Sequence, residues 1–242
     1  MLKFIEMQEE ADILKEFCTD SFGLTIASLL DSYPAGSDIC KFWMQITGDE
    51  ITAALCSMNG DIVLSSNLRA DYDELAEFIK TIGYTNILCR AMDVVSLNMF
   101  ACGCGQVWRR NALPSIKFNY SIPGTVAEFR AIFELLGIKG EFEPWFADIS
   151  RRINVGTADM RYIEKDGKIV ATASLVHISG DRAILGAVAT DKEYRKQGLA
   201  TDLINSFGDK TIYLRCLPSL NPFYQKIGFK SVDVWAEIKQ GK

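Results

Sequence analysis

One strand-to-helix turn, Arg195-Lys196-Gln197-Gly198-Leu199-Ala200, combines two cations, a glycine and a small residue at the place where a helix should begin. The run Ile184 to Ala189 before it is apolar apart from one glycine and suits a buried strand. After it, Leu199, Leu203, Ile204 and Phe207 recur at helical spacing, and Gly208 stops the helix. The chemistry on offer is anion binding. The first backbone N–H groups of a helix have no partner inside it, and they point with the helix dipole at whatever lies above them. Gly198 lets a ligand approach the backbone and Ala200 does not obstruct it, so a pyrophosphate fits. The bland alternative is a turn whose glycine and solvated cations bind nothing. G-x-G-x-x-G is absent and no G-K-[ST] follows, so the turn is neither a dinucleotide fingerprint nor a P-loop.

A second constellation lies downstream in Ile212-Tyr-Leu-Arg-Cys-Leu-Pro-Ser-Leu-Asn-Pro-Phe-Tyr-Gln-Lys-Ile-Gly-Phe229, a strand, a helix carrying Tyr224 and a turn into the last strands. Arg-x-x-Gly-x-Ala after an apolar strand resembles the acyl-CoA pyrophosphate loop of the GNAT superfamily of N-acetyltransferases, Gln/Arg-x-x-Gly-x-Gly/Ala. The downstream stretch resembles that family's phrase A-x-x-F-Y-x-K-x-G-F. The likeness covers Ser115 to Lys239 well and the N-terminal half only as architecture.

The resemblance implies acetyl-CoA as cosubstrate, no metal, and a primary amine on a small molecule or a peptide as the acceptor that attacks directly. In the family the strand before the loop splays from its neighbour. By position, Ala187, Val188 and Ala189 then hold the pantetheine and polarise the thioester. Gln197, Gly198, Leu199 and Ala200 give N–H groups to the pyrophosphate, with charge from Arg195 and Lys196. Tyr224 matches the family's general acid for the departing sulfur; its alternative is a buried aromatic whose hydroxyl finds a backbone partner. Asn221 either bonds the pantetheine arm or caps the following helix, and Lys226 either approaches a CoA phosphate or is solvated.

Other candidates are weaker. Glu143, Trp145 and Asp148 fall on a helix that borders the acceptor cleft in the resembled fold, but core packing for the tryptophan and a solvated face for the acids are the favoured readings. The strand Ala183 to Val188 lacks the glutamate that many relatives use as base. His177, the only histidine, lies on the preceding strand without an assigned role. Cys216 reads as a buried thiol, since direct transfer needs no acyl-enzyme. The remaining alternatives for the whole chain are a non-catalytic acyl-CoA sensor or interaction module, and a structural pair that binds no ligand.

Composition limits these choices. With 242 residues, 48% of them hydrophobic, the chain can bury two small cores. A net charge of −5, with basic residues in pairs and not blocks, argues against a nucleic-acid partner held over a broad surface. Seven cysteines, with Cys102-Gly-Cys104 the only close pair, do not have zinc-knuckle spacing. They read as reduced thiols in a cytoplasmic protein. No apolar run is long enough to span a membrane, so no membrane partner is expected. Oligomeric state is not readable.

The elements that must position the motifs give an α/β (α+β) expectation of two GNAT-like domains, each a mixed, mostly antiparallel sheet flanked by helices. Strands are expected at Lys3–Met7, Trp43–Ile46, Ile51–Cys56 and Ile62–Leu64, the last two joined at Asn59-Gly60. Helices are expected over Glu9–Phe17 and Thr25–Leu30 and from Asp71 to Gly83, before a strand at Asn86–Cys89. The same order returns in Lys168–Leu175, the strand to Ala189, the helix to Phe207 and Ile212–Leu214. Leu97 to Gly105 lies over Leu220 to Gly228 with Leu, Asn, Phe and Gly in register, which together read as an internal duplication. The division is placed at residues 1–112, a degenerate domain without the loop and with Ala101 opposite Tyr224, and 113–242, the acyl-CoA-binding domain. Ser115–Ile122 is expected as the first strand of the latter, followed by helices over Thr125–Leu136 and Phe142–Ile153.

Overall fold

The computed structural model describes residues 1–114 and 118–240. In chain order the elements are β1 (Leu2–Phe4), α1 (Gln8–Phe17), α2 (Ser21–Ser32), β2 (Cys40–Thr47), β3 (Glu50–Met58), β4 (Asp61–Ser66), α3 (Tyr72–Ile82), β5 (Asn86–Arg90), α4 (Ala91–Ser96) and β6 (Gly103–Arg110). There follow α5 (Val126–Leu136), α6 (Phe142–Asn154), β7 (Asp159–Lys165), β8 (Lys168–Ser179), β9 (Arg182–Thr190), α7 (Leu199–Ser206), β10 (Thr211–Cys216), α8 (Asn221–Lys226) and β11 (Lys230–Lys239).

Local chemistry accounts for most boundaries. Asp20 starts α2 by accepting from the amides of Phe22 and Gly23, and Asp71 starts α3 by accepting from the Glu74 amide at 3.0 Å. Asn59 and Gly60 both take positive φ, as a two-residue hairpin turn requires, and join β3 to β4. Asp166 and Gly167 do the same between β7 and β8.

The chain resolves into two compact units that do not follow a single cut. The first comprises Met1–Trp108 with Arg215–Tyr224 and Ser231–Lys242; the second comprises Arg109–Leu214 with Gln225–Lys230. In the first unit the strands lie in the order β1-β2-β3-β4-β5-β11-β6. All its given registers are antiparallel except β4 with β5. The last strand of the chain therefore sits beside β5, with Trp235 opposite Arg90 and Lys239 opposite Asn86. One core lies between α1, α2 and the sheet, and a second joins α3, β4 and β5 to Ala236 and Ile238 of β11.

In the second unit the order is β10-β9-β8-β7, antiparallel except for the parallel β9–β10 pair. Its core gathers Phe129 and Ile132 of α5, Phe142 and Ile149 of α6, and Met160, Tyr162 and Ile169 of the hairpin. Among the described residues no helix is long and apolar enough to cross a membrane, and no group of three or more His, Cys, Asp or Glu side chains is arranged to hold a metal.

Two expectations need correction. The strand expected at Ser115–Ile122 does not form over Phe118–Ile122, where only Ser121 makes an isolated bridge to Tyr162, and Ser115–Lys117 lie outside the described residues. The strand that leads into β8 is instead β7, which the Asp166-Gly167 turn signals. The identities paired between Leu97–Gly105 and Leu220–Gly228 fall on different elements. Leu97 follows α4, whereas Leu220 precedes α8, and Gly105 lies inside β6 whereas Gly228 lies before β11. The likeness of the halves rests on element order, not on those four residues.

Glu128 closes the start of α5. Its carboxylate accepts from the Tyr162 hydroxyl at 2.6 Å, from the amides of Gly124 and Thr125 at 2.8 Å, and from the Thr125 hydroxyl at 2.9 Å. The Tyr162 hydroxyl first, then these donors, pull its pKa down to about 2. Because the folded value is depressed, the stabilisation is complete above the unfolded value of about 4.3 and is lost as pH falls through about 2. We expect Glu128→Gln to lose about 1–2 kcal/mol in urea unfolding at pH 7. The gap to the native protein should narrow at pH 3, and an unchanged gap would show that the carboxylate charge is not its source.

Candidate functional site

The second unit opens its sheet at β9. Parallel pairing with β10 runs from Arg182↔Thr211 to Leu185↔Leu214 and stops there, while β9 continues to Thr190. On its other side β9 stays paired with β8, but Thr172 faces Ala189 and Ser174 faces Gly186. Two residues of β9, Ala187 and Val188, thus oppose the single Ala173 in a bulge, and Ala187 takes φ +48. A bulge twists a strand and takes backbone groups out of the ladder, and a positive φ at alanine is a held strain. Ala187, Val188 and Ala189, the residues expected to hold a pantetheine, lie on this bulged, half-buried stretch. β9 there has no β10 partner among the described residues.

β9 leads directly into the candidate anion turn. Asp191 caps a short 3-10 turn, Lys192–Tyr194, by accepting from the Glu193 amide. The Arg195 Nε donates to the Thr190 carbonyl at 3.1 Å, which ties the loop back to the end of β9. Lys196 takes φ +64 and Gly198 φ +85, and Gly198 is the N-cap of α7. A cap without a side chain leaves α7 no side-chain acceptor for its first amides. A Cβ at Gly198 would meet nothing within 4 Å, so the space above the helix start is open. Arg195, Lys196, Gln197 and Gly198 are exposed, Ala200 is half-buried, and Leu199 packs inward.

Neighbouring charges leave the turn cationic. Lys168 pairs with Asp191 at 2.6 Å, which lowers the pKa of the carboxyl and raises that of the amine. Lys165 donates to the Gln197 side-chain oxygen at 2.9 Å and lies over the Tyr194 ring. The other end of α7 is anchored by residues that the sequence did not single out. Arg110 donates to the Ile204 carbonyl at 3.1 Å and to Asn205 Oδ1 at 2.6 Å, and stacks on Phe229. Arg161 donates to the Ser206 carbonyl and lies over Phe207. Two guanidinium groups at a helix C-terminus satisfy its last carbonyls and oppose the negative end of its dipole. Arg109-Arg110 was visible as a basic pair, but nothing local says that its partner is a helix nearly a hundred residues on.

Of the second motif, Arg215–Tyr224 belong to the first compact unit. Tyr224 lies on α8, is buried, and packs edge-on against Phe223 at 5.0 Å. Burial, and then the nearby Cys216, push its pKa up to about 12. A phenol in that environment keeps its proton at neutral pH, as a donor must. Asn221 opens α8, and its Oδ1 accepts from Trp108 Nε1 at 3.2 Å and from the Cys216 thiol at 3.5 Å. Only its amide nitrogen is left for a pantetheine. Burial also raises the Cys216 pKa, which suits an inert thiol. Lys226 is exposed.

The lesser candidates are occupied elsewhere. Trp145 sits among Phe129, Phe133 and Phe142 with ring centres 5.3–6.4 Å apart. Glu143 faces Arg130 at 3.3 Å and Asp148 faces Arg152 at 2.6 Å. His177 Nδ1 lies 3.3 Å from Arg152, which also donates to the Val176 carbonyl.

In the N-terminal half the parallel pair β4–β5 also stops early, after Val63↔Leu88. There the opening is filled. The Arg90 guanidinium donates to the Ser66 carbonyl, while Asp93, fully buried, accepts from the Ser66 and Tyr72 hydroxyls at 3.0 Å and from the Arg90 amide.

The fold and part of the chain have counterparts among known proteins. Residues 158–231 match the family model described as "Acetyltransferase (GNAT) domain". Across its whole length the chain has the fold of a tandem GNAT protein from the clavulanic acid biosynthesis pathway, with a TM-score of 0.61 at 12% identity, covering 100% of this chain and 99% of that one. It is also similar to a GCN5-related N-acetyltransferase from Kribbella flavida, with a TM-score of 0.63, 13% identity and coverage of 95% and 96%. A GCN5-related N-acetyltransferase from Sphaerobacter thermophilus gives 0.60 at 12% identity, covering 100% and 97%. The C-terminal half thus carries a stretch that matches a GNAT acetyltransferase domain, and the chain has a tandem GNAT fold over its length.

Two substitutions test the turn. Gly198→Glu places a carboxylate where a pyrophosphate would sit and should abolish acetyl-CoA binding in calorimetric titration. Gly198→Ala meets no neighbour, should lose about 1 kcal/mol of stability from its positive φ, and should keep measurable binding. Equal binding by Gly198→Glu and the native protein would remove the turn from the site.

Proposed function

We propose that the protein is an N-acetyltransferase that moves an acetyl group from acetyl-CoA to a primary amine by direct attack. The observation that carries this reading is the bulged end of β9, which β10 no longer pairs, running into the glycine-capped, cationic start of α7. The residues present suit the cosubstrate: the strand has backbone groups outside its ladder, and the turn has open space, two cations and a helix start with no side chain over it. Acetyl-CoA, when bound, supplies an activated acyl group on a thioester.

Ala187, Val188 and Ala189 would align the pantetheine along β9 and direct an amide at the thioester oxygen, where negative charge develops. Gln197, Gly198, Leu199 and Ala200 would give N–H groups to the pyrophosphate, with Arg195 and Lys196 neutralising its charge. Tyr224 would hold its proton through the attack and donate it toward the departing sulfur. β9 carries no carboxylate or imidazole to take the acceptor's proton. The acceptor class is a small-molecule or peptide amine, and the site of action is the cytoplasm.

That missing base favours one other reading, an acyl-CoA-binding sensor or interaction module without turnover. The two part at Tyr224→Phe. For an acetyltransferase, turnover in a thiol-release assay over a panel of amines should fall on the order of 100-fold or more, with acetyl-CoA affinity by calorimetry little changed. A native protein that binds acetyl-CoA and acetylates nothing in the panel would support the sensor.

A further inference from the structure

Not every cation at the anion turn comes from the stretch between β9 and α7. Lys165 stands at the end of β7, directly opposite Lys168 across the two-residue turn Asp166-Gly167. Like charges that face each other across a hairpin cost stability. Lys168 is answered by the Asp191 carboxylate at 2.6 Å. Lys165 is held differently. Its ammonium donates to Gln197 Oε1 at 2.9 Å and lies 5.6 Å from the centre of the Tyr194 ring, and among the described residues it makes no ion pair.

Both contacts lead to the turn itself. Tyr194 ends the 3-10 turn that follows β9, and Gln197 immediately precedes the glycine cap of α7. All of these residues belong to the second compact unit. A neutral amide oxygen and a ring face hold an ammonium in place without cancelling its charge. Lys165 is half-buried, so water screens that charge less than it screens the exposed Lys196. The other groups at the turn are partly engaged: Asp191 takes up Lys168, and the Arg195 Nε is tied to the Thr190 carbonyl. Acetyl-CoA brings a pyrophosphate and, on its ribose, a phosphate monoester that alone carries about −1.5 to −2 near neutral pH. Arg195 and Lys196 by themselves do not match both groups.

We propose that Lys165 is a phosphate-binding residue for the acyl-CoA cosubstrate, a third cation that β7 brings to the turn beside Arg195 and Lys196. The proposal rests on the acyl-CoA reading of that turn. An ammonium has three N–H donors and Gln197 takes one of them, so a phosphate oxygen can accept another in a charge-assisted bond. The phosphate is either the ribose monoester or the pyrophosphate. Nothing local in the sequence marks this lysine, since the hairpin carries it to a partner 32 residues further on.

Lys165→Gln keeps a donor for Gln197 and removes the charge. In calorimetric titration at low salt its affinity for acetyl-CoA should fall about five- to tenfold, and the gap to the native protein should narrow as ionic strength rises from about 0.05 to about 0.5 M. Titration with acetyl-dephospho-CoA separates the two sources. A gap that disappears with that ligand assigns the ribose phosphate, and a gap that persists assigns the pyrophosphate. In a Gln197→Ala background, which keeps the backbone N–H, Lys165→Gln should cost the same. A loss that vanishes in that background, or that salt leaves unchanged, makes Lys165 a prop for the loop and overturns the proposal. Equal affinity of Lys165→Gln and the native protein for acetyl-CoA overturns it too and leaves the acyl-CoA reading standing, whereas no binding of acetyl-CoA by the native protein sinks both.

Discussion

A parallel strand pair that separates after four residues governs the architecture of the second unit. Parallel pairing of β9 with β10 ends at Leu185 and Leu214, and the bulge at Ala187 and Val188 lies just beyond that point. Unpaired backbone inside a sheet is costly unless something else meets it. Residues 186–190 of β9 are only half-buried, so solvent or a ligand can reach the groups that β10 leaves unmet. The strain at Ala187 and the left-handed residues Lys196 and Gly198 lie along this one path, within a dozen residues.

That opening holds its shape because its surroundings are over-determined. Arg110 and Arg161 fasten the far end of α7 to its own carbonyls, and Phe207 and Phe229 shield the guanidinium groups. Burial lowers the Arg110 pKa, yet the group has acceptors in the Ile204 carbonyl and Asn205 and a ring beneath it. Lys168 on Asp191 fixes the near end. The helix is clamped at its C-terminus and bare at its N-terminus, which directs its dipole at the open turn.

The N-terminal half shows the same separation of a parallel pair resolved internally. Arg90, Ser66, Tyr72 and Asp93 occupy the space beyond Val63 and Leu88. Burial pushes the Asp93 pKa up even though Arg90 lies beside it, which is the mark of a group taken out of water to complete a network. A half built this way is suited to structural work. Its sheet accepts β11, the last strand of the chain, between β5 and β6. The first compact unit therefore takes in the end of the chain and is not bounded by a single cut in the sequence.

What the sequence determined is local. Hydrophobic spacing and caps located α3 from Asp71 to Gly83 and α5 from Thr125 to Gly137, Asn59-Gly60 located a hairpin, and Arg195 to Ala200 marked the start of α7, because turns and caps depend on φ preferences and on partners three or four residues away. It also marked Ser115–Ile122 as a strand, since alternation describes a half-buried face without saying whether a neighbouring strand exists to pair with it. Only the tertiary structure decided the rest. The bulge opposite Ala173, the placing of β11 against β5, the arginines on α7 and the bond from Trp108 to Asn221 join residues tens to more than a hundred positions apart. No local preference encodes such contacts; they exist because packing helices against a sheet leaves each buried donor a small set of acceptors within reach.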